Sequence, residues 1–233
     1  MDNARACHHC PVWDYSLFKD IDTDLVDWLA TRKVTRLLRK DEQLFAQGQA
    51  VDGIFCHFDG LAKVVQTDTA GKIRFSRLVL PGDTSGHRSL FIEPFYKGTA
   101  TVISSQLKTC YIAKEDILHL LANSASFAKN LVTKISIELQ RMEDETISFK
   151  EKSVRSRLAH LILRLCNDHS EKIDDNRYRI KSEITKKDIA NVLMVASETV
   201  IRLMSEMKSE GLIEYENKRL LVLNYNKVKR LGR

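Results

Sequence analysis

At 233 residues, 43% hydrophobic and 29% charged, the chain has globular composition and room for one large domain or two ordinary ones. No run approaches the roughly 18 consecutive apolar residues of a membrane-spanning helix, and the opening MDNARACHHCPVWDY has neither the apolar stretch nor the cleavage site of a secretory signal. Residues 1–150 hold 19 basic and 19 acidic side chains, while residues 151–233 hold 18 and 12. The whole net charge of +6 therefore lies in the last third, the asymmetry expected when one domain meets phosphate. Five irregularly spaced cysteines point to a reducing, cytoplasmic setting rather than a disulfide framework.

Asp22 to Ala30 reads as a short amphipathic helix with Leu25, Val26, Trp28 and Leu29 on its apolar face. From Thr35 to Ile112, short apolar runs are punctuated by Gly48, Gly60, Gly71 and Gly82, 12, 11 and 11 residues apart. That rhythm suits the strands of a barrel or jelly roll. Ile54–Phe58, Asp59-Gly60 and Leu61–Val65 read as a hairpin, and Cys56, in step with Ile54 and Phe58, reads as core. Leu131, Ile135, Leu139, Met142, Thr146 and Phe149 then recur at helical steps from Ser126 to about Lys150. This narrow seam, flanked by Glu138, Arg141, Glu143, Asp144 and Glu145, suits pairing of the helix with a second copy. A helix capped by Ser153 follows, with Leu158, Leu161, Ile162, Leu165 and Cys166 facing inward.

The last part of the chain carries the clearest signal. Thr185 and Asp188 form a Thr-x-x-Asp cap, opening a helix with Ile189, Val192 and Leu193 inward. After a short turn, a second helix from Ser197 to Met207 buries Val200, Leu203, Met204 and Met207. Two short helices joined so tightly must cross steeply, which is helix-turn-helix geometry, and the second helix of such a pair enters the major groove of DNA. Gly211 stops it, and Leu212–Glu216 with Arg219–Leu223 read as a β-hairpin wing. Ser197, Glu198, Thr199, Ile201 and Arg202 are the candidate base-reading residues, because arginine donates twice to guanine and glutamate accepts from cytosine. Glu198 and Arg202, four residues apart, are also placed to pair with each other. Lys186, Lys187 and Lys218 are placed to meet phosphates.

With these motifs in hand, the chain resembles the CRP/FNR family of transcription regulators (cyclic-AMP receptor protein and fumarate–nitrate reductase regulator), closer to the FNR-like branch. The carrying residues are Pro81-Gly82-Asp83 with Gly86, and Ile184-Thr-Lys-Lys-Asp-Ile189 followed by Glu198-Thr-Val-Ile-Arg202. The resemblance implies an α+β fold. Its parts would be a leader over residues 1–24, a cyclic-nucleotide-binding-like β-roll over 25–125, a dimerisation helix over 126–150 and a winged helix-turn-helix over 151–233. Promoter DNA, a second copy of the chain and RNA polymerase would be its partners. Three positions depart from the pattern. Met194 stands where the family often has a turn glycine, Ala196 where a Ser or Thr usually caps the recognition helix, and Ile201 where a small residue precedes the arginine.

The resemblance also frames the signal. Cyclic-nucleotide-binding members hold the ribose with Gly-Glu and the phosphate with Arg-Ser. The matching residues here are Gly86 and His87, then Lys97 and Thr99, so an effector pocket is expected there but cyclic AMP is not expected to bind well. Oxygen-sensing members hold an iron–sulfur cluster on four cysteines. Cys7, Cys10 and Cys110 match three of them, and Ser16 takes the place of the fourth. His8, His9, Asp14 or an exogenous thiol would have to complete such a site, and zinc is the other metal it suits. An enzyme is not expected. Cupin-type metal oxygenases on similar rolls need a close His-x-His with a carboxylate, and His57 and His87 stand alone.

Overall fold

The computed structural model describes residues 7–92, 94–216 and 219–232, the side chains of 145 and 148–151 excepted. The chain forms two compact units, one running to Met142 without Ile103–Ser105 and the other made of those three residues and the chain from Glu143 onward.

The first unit opens with two single helical turns, Cys7–His9 and Trp13–Tyr15, and helix α1 (Thr23–Arg32). Strands β1 (Val34–Arg39), β2 (Gln43–Phe45), β3 (Gly53–Asp59), β4 (Ala62–Thr67), β5 (Ile73–Val79) and β6 (Thr84–Ser85) follow. Next come the short helix α2 (His87–Leu90), strands β7 (Thr99–Val102) and β8 (Gln106–Ala113), and helices α3 (Lys114–Asn123) and α4 (Ala125–Glu151). The strands build two antiparallel four-stranded sheets, in the orders β1-β8-β3-β6 and β2-β7-β4-β5, which is the expected roll. Its core includes Phe45, Phe55, Leu107, Ile112 and Phe127. Leu17, Phe18 and Ile21 join that core, so the leader is built into the roll instead of standing apart from it.

The expected hairpin at Asp59-Gly60 is not one. β3 pairs with β8 and β6, whereas β4 pairs with β5 and β7. Gly60, at φ 86°, turns the chain from one sheet into the other, a backbone state that glycine enters without steric cost. Alternating apolar runs around Asp-Gly look the same whether the strands pair side by side or face each other across a core. The sequence pattern does not distinguish the two.

The second unit comprises α5 (Val154–Asp168), β9 (Ser170–Lys172), β10 (Tyr178–Ile180), α6 (Lys186–Leu193), α7 (Ser197–Ser209), β11 (Ile213–Glu216), β12 (Arg219–Val222) and α8 (Tyr225–Leu231). The Ser153 side chain caps α5 by accepting from the Ser156 amide, and Leu158, Leu161, Ile162, Leu165 and Cys166 are all buried, as the helical spacing predicts. The wing is broader than a hairpin. Its four strands run in the order β11-β12-β10-β9, and β9 and β10 are too short and polar to stand out in the sequence. Among the described residues, no helix is long and apolar enough to cross a membrane.

Candidate functional site

Helix α6 begins where its cap predicts. Thr185 Oγ1 accepts from the Asp188 amide at 3.1 Å and donates to the Asp188 carboxylate at 2.6 Å. The helix ends at Met194, which takes φ 54° and ψ 46°, the left-handed state that favours glycine. Arg157 steadies this end by donating from Nη1 to the Leu193 carbonyl at 3.1 Å. Ala196 then opens α7 with no side-chain cap. The departures at Met194 and Ala196 are therefore real features of the turn. A missing N-cap costs about 0.5–2 kcal/mol.

Helix α7 divides cleanly into two faces. Val200, Leu203, Met204 and Met207 are buried. Glu198 and Ile201 are exposed, the Arg202 side chain is 65% exposed, and Ser197 and Thr199 are partly covered. Lys186 and Lys187 are exposed at the start of α6, and the Lys186 ammonium sits 5.8 Å from the centre of the Tyr215 ring. Lys218 lies outside the described residues. The anticipated Glu198–Arg202 pair is replaced by another. Arg202 Nη1 donates to Glu206 Oε1 at 2.7 Å, one turn further along. Both partners are four residues away, so spacing alone does not choose between them. Glu198 stands in the first turn, where the helix dipole already favours a carboxylate.

In the roll, a cavity of about 190 Å³ is lined by Gly86, Lys97 and Gly98 together with Ser76, Arg77, Arg88, Ser89 and the apolar Phe45, Val64, Ile92 and Tyr96. Gly86, at φ 89°, has no room for a side chain, because a Cβ would come within 2.9 Å of the Gly53 carbonyl. Two of the expected pocket residues face elsewhere. His87 is 1% exposed, with Nδ1 3.1 Å from Thr84 Oγ1 and Nε2 3.0 Å from Glu138 Oε2. Thr99 Oγ1 accepts from the Gln47 amide at 3.1 Å. The two arginines were missed because they lie outside the matched motif, one on β5 and one on α2.

Glu138 also departs from its expected role. It is 7% exposed and faces the roll, not the flank of an exposed seam. Burial works against its charge, but the His87 hydrogen bond and the charges on His87, Arg77 and Arg88 outweigh that cost and hold its carboxyl well below the usual range. Burial moves His87 the other way, below the ordinary histidine value, with Glu138 partly opposing the shift. Leu131, the first residue of the expected seam, is instead buried with Phe127 in the roll core, and only the apolar residues of α4 beyond it do the reverse of the carboxylate. Val132, Ile135, Leu139 and Met142 are 64%, 44%, 58% and 48% exposed, and Thr146 is exposed beyond them. Phe149, the last residue of the expected seam, has its side chain outside the described residues.

Cys7, Cys10 and Cys110 come together as expected, and a fourth thiol joins them. All three line one small cavity with Cys56, which stands opposite Cys110 across β3 and β8. Cys56 packs against the core as expected, so its place at this cavity is an additional role. Lys33 Nζ is 3.8 Å from Cys110 Sγ. Burial pushes the Cys7 thiol up to about 11 and raises Cys10 and Cys56 as well, which keeps them protonated. Ser16 lines the cavity too, donating to the Trp13 carbonyl and accepting from the Phe18 amide. His8, His9 and Asp14 are exposed. The donors suit a soft metal chemically. Even so, among the described residues no group of three or more His, Cys, Asp or Glu side chains is arranged to hold an ion.

Residues 156–231 match the model of the Crp-like helix-turn-helix domain, and residues 35–124 match that of the cyclic nucleotide-binding domain. The chain is similar to the transcriptional activator protein FnrA of Stutzerimonas stutzeri, 24% identical over 204 residues that cover 87% of this chain and 81% of the relative. It is also similar to electron transport regulator A of Shewanella oneidensis, 22% identical over 233 residues covering 98% and 91%. Among solved structures, FixK2 from Bradyrhizobium japonicum shares the fold at a TM-score of 0.73 and 18% identity, over 86% of this chain and 98% of that one.

Proposed function

The chain belongs to the CRP/FNR family of DNA-binding transcription regulators, and from that premise we propose that it works as a cytoplasmic homodimer joined along α4, with α7 of each copy in the major groove of promoter DNA. The observation that carries this is the division of α7, with a buried Val200–Leu203–Met204–Met207 stripe beneath an exposed Glu198, Ile201 and Arg202. Arg202 and Glu198 read base edges, Ser197, Thr199 and Ile201 complete the reading face, and Lys186, Lys187 and Lys218 meet phosphates. The exposed apolar residues of α4 support the pairing of two copies, since such a row on a monomer is an aggregation liability. RNA polymerase is the partner on the promoter, and no catalytic step is required of the protein. Mobility-shift titration on promoter fragments tests this reading. Saturable, salt-sensitive, sequence-selective retardation is expected, and nonspecific binding alone under every condition overturns it.

The signal enters through the cavity at Gly86, Arg88 and Lys97, where a small ligand is sensed. Neither the glutamate nor the arginine that holds a cyclic nucleotide in the family stands at the matched positions, so cyclic AMP is not that ligand. A second reading of the signal, a redox or oxygen response, is favoured by one observation: four thiols line a single cavity. Anaerobic purification with iron, zinc and sulfide analysis, then DNA binding before and after air, separates the two. A colourless, metal-free protein whose DNA binding ignores air removes the redox reading.

A further inference from the structure

Helix α4 is tied to the roll by three polar side chains at steps of four. Asn130 Nδ2 donates to the Leu17 and Lys19 carbonyls, Lys134 Nζ donates to the Gly82 carbonyl and pairs with Asp83, and Glu138 meets His87, Arg88 and Arg77. The third tie is built differently from the others. Arg88 Nε donates to Glu138 Oε2 at 3.0 Å, and Arg88 Nη2 is 3.0 Å from the same oxygen. Glu138 Oε1 accepts no hydrogen bond and lies 3.6 Å from Arg77 Nη1. Both arms of one guanidinium therefore fall on a single oxygen, and the two-oxygen fork that makes arginine–carboxylate pairs strong is not formed. The same Arg88 and Arg77 line the effector cavity, with Phe45, Val64 and Ile92 supplying its apolar wall.

We propose that this cavity binds a small organic carboxylate with an apolar body, and that the ligand competes with Glu138 for Arg88, loosening α4 from the roll when it binds. The proposal rests on the effector-cavity reading above. A ligand carboxylate offers Arg88 the bidentate partner that Glu138 does not, with Lys97 adding a second positive charge at the cavity wall. Glu138 is not stranded by the exchange, because His87 and Arg77 remain beside it. The ligand's charge, read in the roll, is thereby converted into the hold on the helix whose outer face is proposed to join the two copies. An uncharged molecule of the same shape fills the cavity without moving Arg88.

Calorimetric titration of the full-length protein with benzoate, and with benzyl alcohol as the uncharged control, tests the proposal. Benzoate should bind wild type, bind Glu138→Gln about tenfold more tightly, a change of about 1.4 kcal/mol, and fail to bind Arg88→Met. Equal benzoate affinity for wild type and Glu138→Gln overturns the competition, and no benzoate binding to either overturns the site. Hydrogen exchange on wild type gives a readout free of any substitution. Amides of residues 134–142 should exchange faster with saturating benzoate than with benzyl alcohol, and unchanged exchange overturns the coupling to α4. Mobility shift without benzoate reports separately on DNA reading, so loss of that reading is distinguishable from failure of this one.

Discussion

Helices α4 and α7 are inverted with respect to each other. α7 hides Val200, Leu203, Met204 and Met207 and offers charge to its surroundings, whereas α4, once past the buried Phe127 and Leu131, buries Glu138 against the roll and leaves Val132, Ile135, Leu139 and Met142 outside. A soluble helix arranged like α7 is complete by itself on its apolar side and unsatisfied on its polar one. A helix arranged like α4 is the opposite. The first suits a polar, hydrogen-bonding partner such as the edges of bases, and the second suits another apolar helix.

The harshest way to break this contrast is to make α4 resemble α7. Ile135→Glu with Leu139→Glu should convert dimer to monomer in sedimentation analysis. DNA affinity should fall by about 10²–10⁴-fold, because two half-sites are then no longer held by one particle. A dimer that survives both charges contradicts the assignment of this face. Removing the reading group from α7 should do less. Arg202→Ala should cost about 1–3 kcal/mol on the preferred site and relax specificity at one base position while leaving the dimer intact, as read by competition binding. Glu206→Gln sharpens the point, since freeing Arg202 from its 2.7 Å partner should leave specific binding unchanged or tighter.

Smaller effects are expected in stability. Ala196→Ser supplies the absent cap of α7 and should raise the stability of the second unit by about 0.5–2 kcal/mol in denaturant unfolding. His57 supplies a pH test of the roll. Burial lowers it to about 3, with Arg77 adding to the shift. Between its ordinary value of 6.5 and about 3, the unfolded chain takes up a proton that the folded roll refuses. Stability should therefore be fully present above pH 6.5 and fall on acidification, by at most about 1.4 kcal/mol per pH unit from this group. His57→Leu should flatten that part of the curve even if it lowers the whole of it.

The contrast also explains what the sequence could reveal. α5 and α6 were legible because Ser153 and Thr185 cap as written ahead of helical spacing, and α7 through spacing alone, since it has no side-chain cap yet every residue assigned to its buried stripe is buried. Met194 was legible as a left-handed position only through its neighbours in the motif. Glu138 was misread because helical spacing reports which residues share a face, not whether a charged one meets cations from β5 and α2. Arg77 and Arg88 are 61 and 50 residues away from it in the chain. Gly60 failed for a similar reason, since pairing partners of a strand are set by the sheet and not by the turn beside it. The convergence of Cys56 with Cys7, Cys10 and Cys110 depends on register across β3 and β8, which alternation alone leaves free.

The most direct test of the account is selection of bound duplexes from a randomised DNA pool by the full-length protein. The account predicts enrichment of a two-fold symmetric site whose half-sites are centred about 10–10.5 base pairs apart, retained by wild type and lost or relaxed with Arg202→Ala. A pool that shows no enriched motif, or one indifferent to Arg202, would contradict it.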